Sequence, residues 1–147
     1  MTFWQLTIDA NDPGRLARFW ARALGYQPVP PASPDTTWWR HYRGRLAGRP
    51  EFPDRLFDPA GHGPALWFQP VPEEKAGKNR LHLDLYPTAR DNTLSPAQRV
   101  EVVEGKVAEL VELGATVRSR TEDFDDPADG VCFVVMNDPE GNEFCVS

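Results

Sequence analysis

Asp138-Pro139-Glu140-Gly141-Asn142-Glu143-Phe144-Cys145-Val146 joins a tight turn to a strand in which Phe144 and Val146 alternate with Glu143 and Cys145. Gly141 suits the turn because it accepts a backbone angle that side chains resist. The first half of the chain holds a counterpart, Asp58-Pro59-Ala60-Gly61, ahead of the apolar run Ala65–Gln69. Further back the correspondence continues. Each half opens with an alternating strand, Trp4–Ile8 or Leu81–Leu85, and carries an amphipathic helix ending in Leu-Gly, at Leu24-Gly25 or Leu113-Gly114. The repeat runs from Phe3 to about Val71 and from Arg80 to Ser147, with the polar segment 73–79 as linker. Two copies of this length predict two half-domains paired about a pseudo-twofold axis, not a solenoid. A cleft between such halves is the natural place for a ligand.

Local signals fix the helices. Asp12 caps the first, Pro13 takes its opening position, and Leu16, Phe19, Trp20, Ala23 and Leu24 form its apolar stripe. Ser95 and Gln98 form a capping box for the second, whose packed face is Val100, Val103, Val107, Leu110 and Gly114. Thr116–Arg118 reads as a short strand, Glu122–Asp129 as an acidic loop and Val131–Met136 as a buried strand. Between Tyr26 and Pro64 the prolines at 28, 30, 31 and 34 prevent a regular helix. Within that segment Trp38-Trp39-Arg40-His41-Tyr42 is a short strand or a loop over the cleft mouth. Each half therefore reads strand–helix–strand–strand–strand.

Composition narrows the functional classes. At 147 residues, 40% of them hydrophobic and 11% aromatic, the chain forms one domain with a real core. A net charge of −6 argues against nucleic acid, which needs a basic face. The two cysteines, Cys132 and Cys145, make no disulfide framework. The N-terminus lacks a signal-peptide pattern, and no apolar run nears the roughly 20 residues of a membrane helix. A cytoplasmic protein is expected.

Alternation assigns faces. If the apolar parity of each first strand meets its own helix, then Gln5, Thr7, His82, Asp84 and Tyr86 face the other way. By the same rule Leu66, Phe68, Phe144 and Val146 face the helices, and Trp67, Gln69, Glu143 and Cys145 face inward. His82 is a candidate general base, with Asp84 and Glu143 as acid–base partners. Cys145 is a candidate nucleophile or an inert strand cysteine. Trp67, Trp38, Trp39 and Tyr42 are candidates for stacking on a planar ligand or for the core. Asp9 braces the loop into the first helix, and His62 is an exposed loop residue.

Three motifs, in this order and spacing, carry a family resemblance: Asp12-Pro13-Gly14-Arg15-Leu16-Ala17-Arg18-Phe19-Trp20 with Leu24-Gly25, then Lys78-Asn79-Arg80-Leu81-His82-Leu83-Asp84-Leu85, then Asp138 to Cys145. The chain resembles the vicinal oxygen chelate superfamily of glyoxalase I, extradiol dioxygenases, fosfomycin-modifying enzymes and bleomycin-resistance proteins, and among these the small glyoxalase-like domains. The resemblance implies an α+β fold in which two paired βαβββ modules form a cup-shaped, partly open mixed β-barrel with helices outside. It also implies one inward residue from the first and last strand of each half as a metal ligand, which falls here on Gln5, Gln69 (or Trp67), His82 and Cys145. The metal-dependent members offer His or Gln, then Glu, His and Glu. Two carboxylates are thus missing, and zinc on His82 and Cys145, helped by Asp84 and Glu143, is the remaining metal option.

The expected function is a small-molecule binding protein that holds an organic ligand in the cup. Gln5, Thr7, Trp67, Gln69, Tyr86 and Cys145 are its ligand-binding residues, and no cofactor is expected. Drug sequestration, as in bleomycin-resistance proteins, and a homodimer fit this reading. The alternatives are an enzyme of the same superfamily (a lyase, isomerase or dioxygenase) with a divalent metal or with His82, Asp84 and Glu143 as catalytic groups, and a protein–protein interaction module with a filled cup.

Overall fold

Asp12 begins the first helix as its sequence requires: its carboxylate accepts the Arg15 amide at 3.1 Å, and Pro13 follows it. The helix, α1, spans Pro13–Leu24 and stops at Gly25, whose φ of 70° is the left-handed conformation that terminates helices. The computed structural model describes Thr2 and residues 4–29, 54–123 and 131–147. Trp38, Trp39, His41 and Tyr42, and most of the acidic loop after Glu122, lie outside the described residues. The chain divides into two compact units, Met1–Glu74 and Lys75–Ser147.

In the first unit α1 follows β1 (Gln5–Ala10) and precedes β2 (Gln27–Pro28), β3 (Arg55–Phe57) and β4 (Ala65–Pro70). The sheet order is β1-β4-β3-β2. β1 and β4 are parallel, with Thr7 level with Trp67, and the other pairs are antiparallel. Leu16, Phe19 and Trp20 of α1 pack with Leu56, Leu66 and Phe68 as a core, all at most 3% exposed. Complete burial of side chains this size contributes about 1.5–3 kcal/mol each, against about 1 kcal/mol for the cap. Packing on the sheet therefore holds the helix, and the cap sets where it starts.

The second unit repeats the order. β5 (Asp84–Leu85) is followed by α2 (Pro96–Glu112), β6 (Thr116–Asp123), β7 (Val131–Asn137) and β8 (Glu143–Val146). The sheet order is β5-β8-β7-β6, and again the first and last strands are parallel neighbours while the rest are antiparallel. The capping box forms reciprocally: the Gln98 amide donates to Ser95 Oγ, and the Ser95 amide to Gln98 Oε1. Val103, Val107 and Leu110 are buried with Val134, Met136, Phe144 and Val146. Among the described residues each unit is thus one helix on a four-stranded mixed sheet, the α+β two-module arrangement expected. Among the described residues neither sheet closes on itself, and no helix is long and apolar enough to cross a membrane.

β5 and β6 differ most from their expected extents, while β1, β4 and β7 shift by one or two residues at an end. β6 is longer, because pairing with β7 from Thr116 to Asp123 carries polar residues that show no periodicity of their own. β5 is shorter than Leu81–Leu85, and Leu81 is 81% exposed instead of facing the helix. The cause lies at its start. The Cys145 and Ser147 amides bond the Leu83 and Leu85 carbonyls, but the Asn79 amide goes to the Glu143 side chain, so the chain joins the ladder only near Leu83.

Candidate functional site

The parallel β5–β8 ladder places Asp84 level with Cys145, and His82 lies two residues before Asp84. His82 Nδ1 is 2.9 Å from Asp84 Oδ1, and both side chains are open to solvent, 47% and 39% exposed. Facing a carboxylate, Nδ1 is the donor, which leaves Nε2 as the ring's acceptor. The Cys145 thiol is half-buried and also donates to Asp84. Burial first, and then the charge of Asp84 and that hydrogen bond, push the thiol above its ordinary range, against the opposing pull of Lys78. Imidazole, carboxylate and thiol each bring a donor atom, all within 4.8 Å of one another. His82 therefore engages Asp84, and the thiol is held protonated; a nucleophilic Cys145 activated by His82 needs the opposite arrangement.

Glu143 was expected beside these groups as an acid–base partner for Asp84. Its carboxylate is instead buried and saturated. Oε2 accepts the Asn79 amide at 3.0 Å and lies 3.4 Å from Lys75 Nζ, while Oε1 accepts Arg118 Nη1 at 2.7 Å. The Asn79 amide foremost, aided by its own backbone amide, Lys75 and Arg118, outweighs burial and lowers the acid to about 2. Such a carboxylate is ionised throughout the physiological range and only weakly basic, poor qualities for proton transfer. It ties the linker end of the second unit to β6 and β8.

In the first unit Gln5, Thr7 and Asp9 are exposed along β1, while Leu6 and Ile8 are half-buried, the expected parity. On β4 Gln69 is half-buried and Trp67 is 6% exposed. Trp67 donates its indole N–H to Asp54 Oδ2 at 3.0 Å, and the Arg55 guanidinium stands 5.2 Å from its ring centre. At 6% exposure and in contact with Asp54 and Arg55, Trp67 is part of the packed layer, not an open stacking platform. Tyr86 is 39% exposed, with Arg90 lying 4.0 Å over its ring. His62 is exposed, as expected, and its amide donates to Asp58.

The two ladders also resolve which β4 residue answers to Cys145. If Gln5 corresponds to His82, then Thr7 corresponds to Asp84; Thr7 pairs with Trp67 as Asp84 pairs with Cys145. Trp67, not Gln69, occupies the repeat position of Cys145, and an indole offers no metal donor. Sequence reasoning did not identify Lys75, Asn79 and Arg118 around Glu143, nor Asp54 and Arg55 around Trp67. The parity of Arg118 on an extended β6 was the one signal present; β3 is too short for any periodicity.

The family model described as "Glyoxalase-like domain" matches residues 5–147. No curated protein matches the chain. Among solved structures, a glyoxalase/bleomycin resistance protein/dioxygenase family enzyme from Burkholderia phytofirmans aligns at a TM-score of 0.58 and 15% identity, over 97% of this chain and 94% of that one. A superfamily member from Sphaerobacter thermophilus aligns at 0.54 and 16% identity, over 99% and 95%. A mutant of the fosfomycin resistance protein FosX from Listeria monocytogenes, complexed with Mn(II) and dihydroxypropylphosphonic acid, aligns at 0.56 and 9% identity, over 99% and 87%.

Proposed function

The chain belongs to the glyoxalase-like domain family, and on that premise we propose that it is a small-molecule binding protein that takes an organic ligand through the exposed polar side chains of its strands. The observation that supports this is sidedness. Gln5 and Thr7 of β1, and Asp84 of β5 with its neighbours His82 and Tyr86, are exposed, while Leu6 and Ile8 are half-buried and Leu85 is buried. Exposed amide, hydroxyl, imidazole, carboxylate and phenol groups on a rigid sheet can orient a polar organic molecule.

A manganese centre of the kind present in the Listeria FosX complex does not fit the donors here. Mn(II) favours carboxylate and other hard oxygen ligands. The family positions hold the Gln5 amide, the Trp67 indole, the His82 imidazole and the Cys145 thiol, and Glu143 is fully committed to Asn79, Lys75 and Arg118. Binding without a hard-ion centre is therefore favoured over the lyase and dioxygenase alternatives. The function is tested with a fragment library of small polar organic molecules, read by ligand-observed NMR against the metal-free chain. Hits should weaken with Gln5→Ala and His82→Ala while the melting temperature holds. Hits indifferent to both variants, or turnover that requires Mn(II), would remove the proposal.

A further inference from the structure

We infer that Arg90, stacked on Tyr86, is an anion-recognition residue that selects a small organic carboxylate as the ligand of the second unit. This rests on the ligand-binding reading and narrows it to a chemical class. The Arg90 guanidinium stands 4.0 Å over the Tyr86 ring, and both residues are exposed. A guanidinium held by its face against a ring keeps its in-plane N–H groups free, and that fork matches a carboxylate with two parallel hydrogen bonds. No carboxylate among the described residues forms an ion pair with Arg90. Its neighbour Asp91 is engaged elsewhere: the Thr93 amide and hydroxyl donate to Oδ1 at 2.8 and 2.7 Å.

The loop after β5 holds this pose at a cost. Ala89 and Arg90 have φ of 50° and 58°, a left-handed conformation that side chains resist, and among the described residues no other non-glycine adopts it. The Ala89 amide bonds the Tyr86 carbonyl at 2.9 Å and the Asp91 amide the Thr88 carbonyl at 3.0 Å. The Thr88 hydroxyl donates to the Ser147 carbonyl at 3.4 Å and ties the loop to the chain after β8. Strain of this kind persists where its surroundings fix it, and its product here is the Arg90–Tyr86 stack. Local charge agrees. Residues 75–90 carry Lys75, Lys78, Arg80 and Arg90 against one acid, Asp84, in a chain of net charge −6. Lys75 is committed to Glu143, and Lys78 lies near enough to favour the Cys145 thiolate. Asp84 shares the parity of Tyr86, about 7 Å back along the chain. A single guanidinium fork beside that acid favours a monoanionic carboxylate over a phosphate, which carries more charge and takes more donors. The rest of the ligand lies over the Tyr86 ring toward Asp84 and His82.

The test titrates the full, metal-free chain with benzoate, with its neutral counterpart benzamide and with inorganic phosphate. Binding is read by ligand-observed NMR and by the Arg90 side-chain Nε–H resonance. Benzoate should bind at least about tenfold more tightly than benzamide or phosphate, the size expected of charge-assisted hydrogen bonds, and should shift the Arg90 resonance. Arg90→Gln should bring benzoate down to the level of benzamide. Arg90→Lys, which keeps the charge without the fork, should fall between. Arg22→Gln, which removes an exposed cation of α1, should leave the preference unchanged. Should Arg90→Gln unfold, the wild-type Arg90 resonance decides the matter. Equal affinity for benzoate and benzamide, a preference that survives Arg90→Gln, phosphate bound as tightly as benzoate, or an Arg90 resonance unmoved at saturation would overturn the inference. Fragments that bind without regard to charge overturn it alone and leave the ligand-binding reading intact, whereas a fragment library without hits overturns both.

Discussion

Replacing Glu143 with Gln removes one charge from a carboxylate that three groups of the second unit share. The side chain keeps its shape, and its remaining oxygen can still accept the Asn79 amide, so the change is chiefly electrostatic. An acid held at about 2 against an ordinary 4.5 corresponds to about 3 kcal/mol at neutral pH if the whole shift is expressed. Arg118 is 54% exposed, so its pairing is screened and about 1–2 kcal/mol is the working figure. The sign follows from the lowered value. The contribution is complete above the unfolded acid's pKa near 4.5 and is lost as pH falls toward 2. Urea unfolding at a series of pH values, with wild type and Glu143→Gln side by side, reads this directly. The variant should be less stable by about 1–2 kcal/mol at pH 7, and the gap should close between pH 4.5 and 2. Equal stability at pH 7, or an unchanged gap at pH 2, would refute the assignment of Glu143 as the ionised tie between the linker end, β6 and β8.

Gly105 sits exposed in the middle of α2, where an added methyl meets nothing within 4 Å. Gly105→Ala should therefore stabilise the chain by about 0.8–1 kcal/mol, raising the melting temperature by a few degrees. Ser95→Ala breaks the capping box and should cost about 1 kcal/mol in urea unfolding. Leu110 is 0% exposed, and Leu110→Ala should cost about 2–5 kcal/mol by the same measurement, through lost burial and the cavity left behind.

What could be read from the sequence was local or periodic. Asp12, Gly25, Ser95 and Gln98 fixed the helix ends because caps depend on neighbours only three or four residues away. The parity of β1 and β8 was readable from alternation. The two-residue β2 and three-residue β3 were not, since strands so short show no period. Neither was the early end of β5, which depends on the Asn79 amide choosing a side chain sixty-four positions away. The same limit applies at the site. Alternation placed His82, Asp84 and Cys145 on one face, and the ladder brings their donors together. Parity could not show that Glu143 would be claimed by Arg118 or that Asp54 and Arg55 would engage Trp67, because both outcomes depend on partners distant in sequence.

The most direct test of the ligand-binding account is amide chemical-shift mapping of the strongest fragment hit on the isotopically labelled, metal-free chain. The account predicts that the largest perturbations fall at Gln5, Thr7, His82 and Asp84 and that the amides of α1 and α2 stay still. Perturbations confined to the helices, with those four strand amides unmoved, would contradict it.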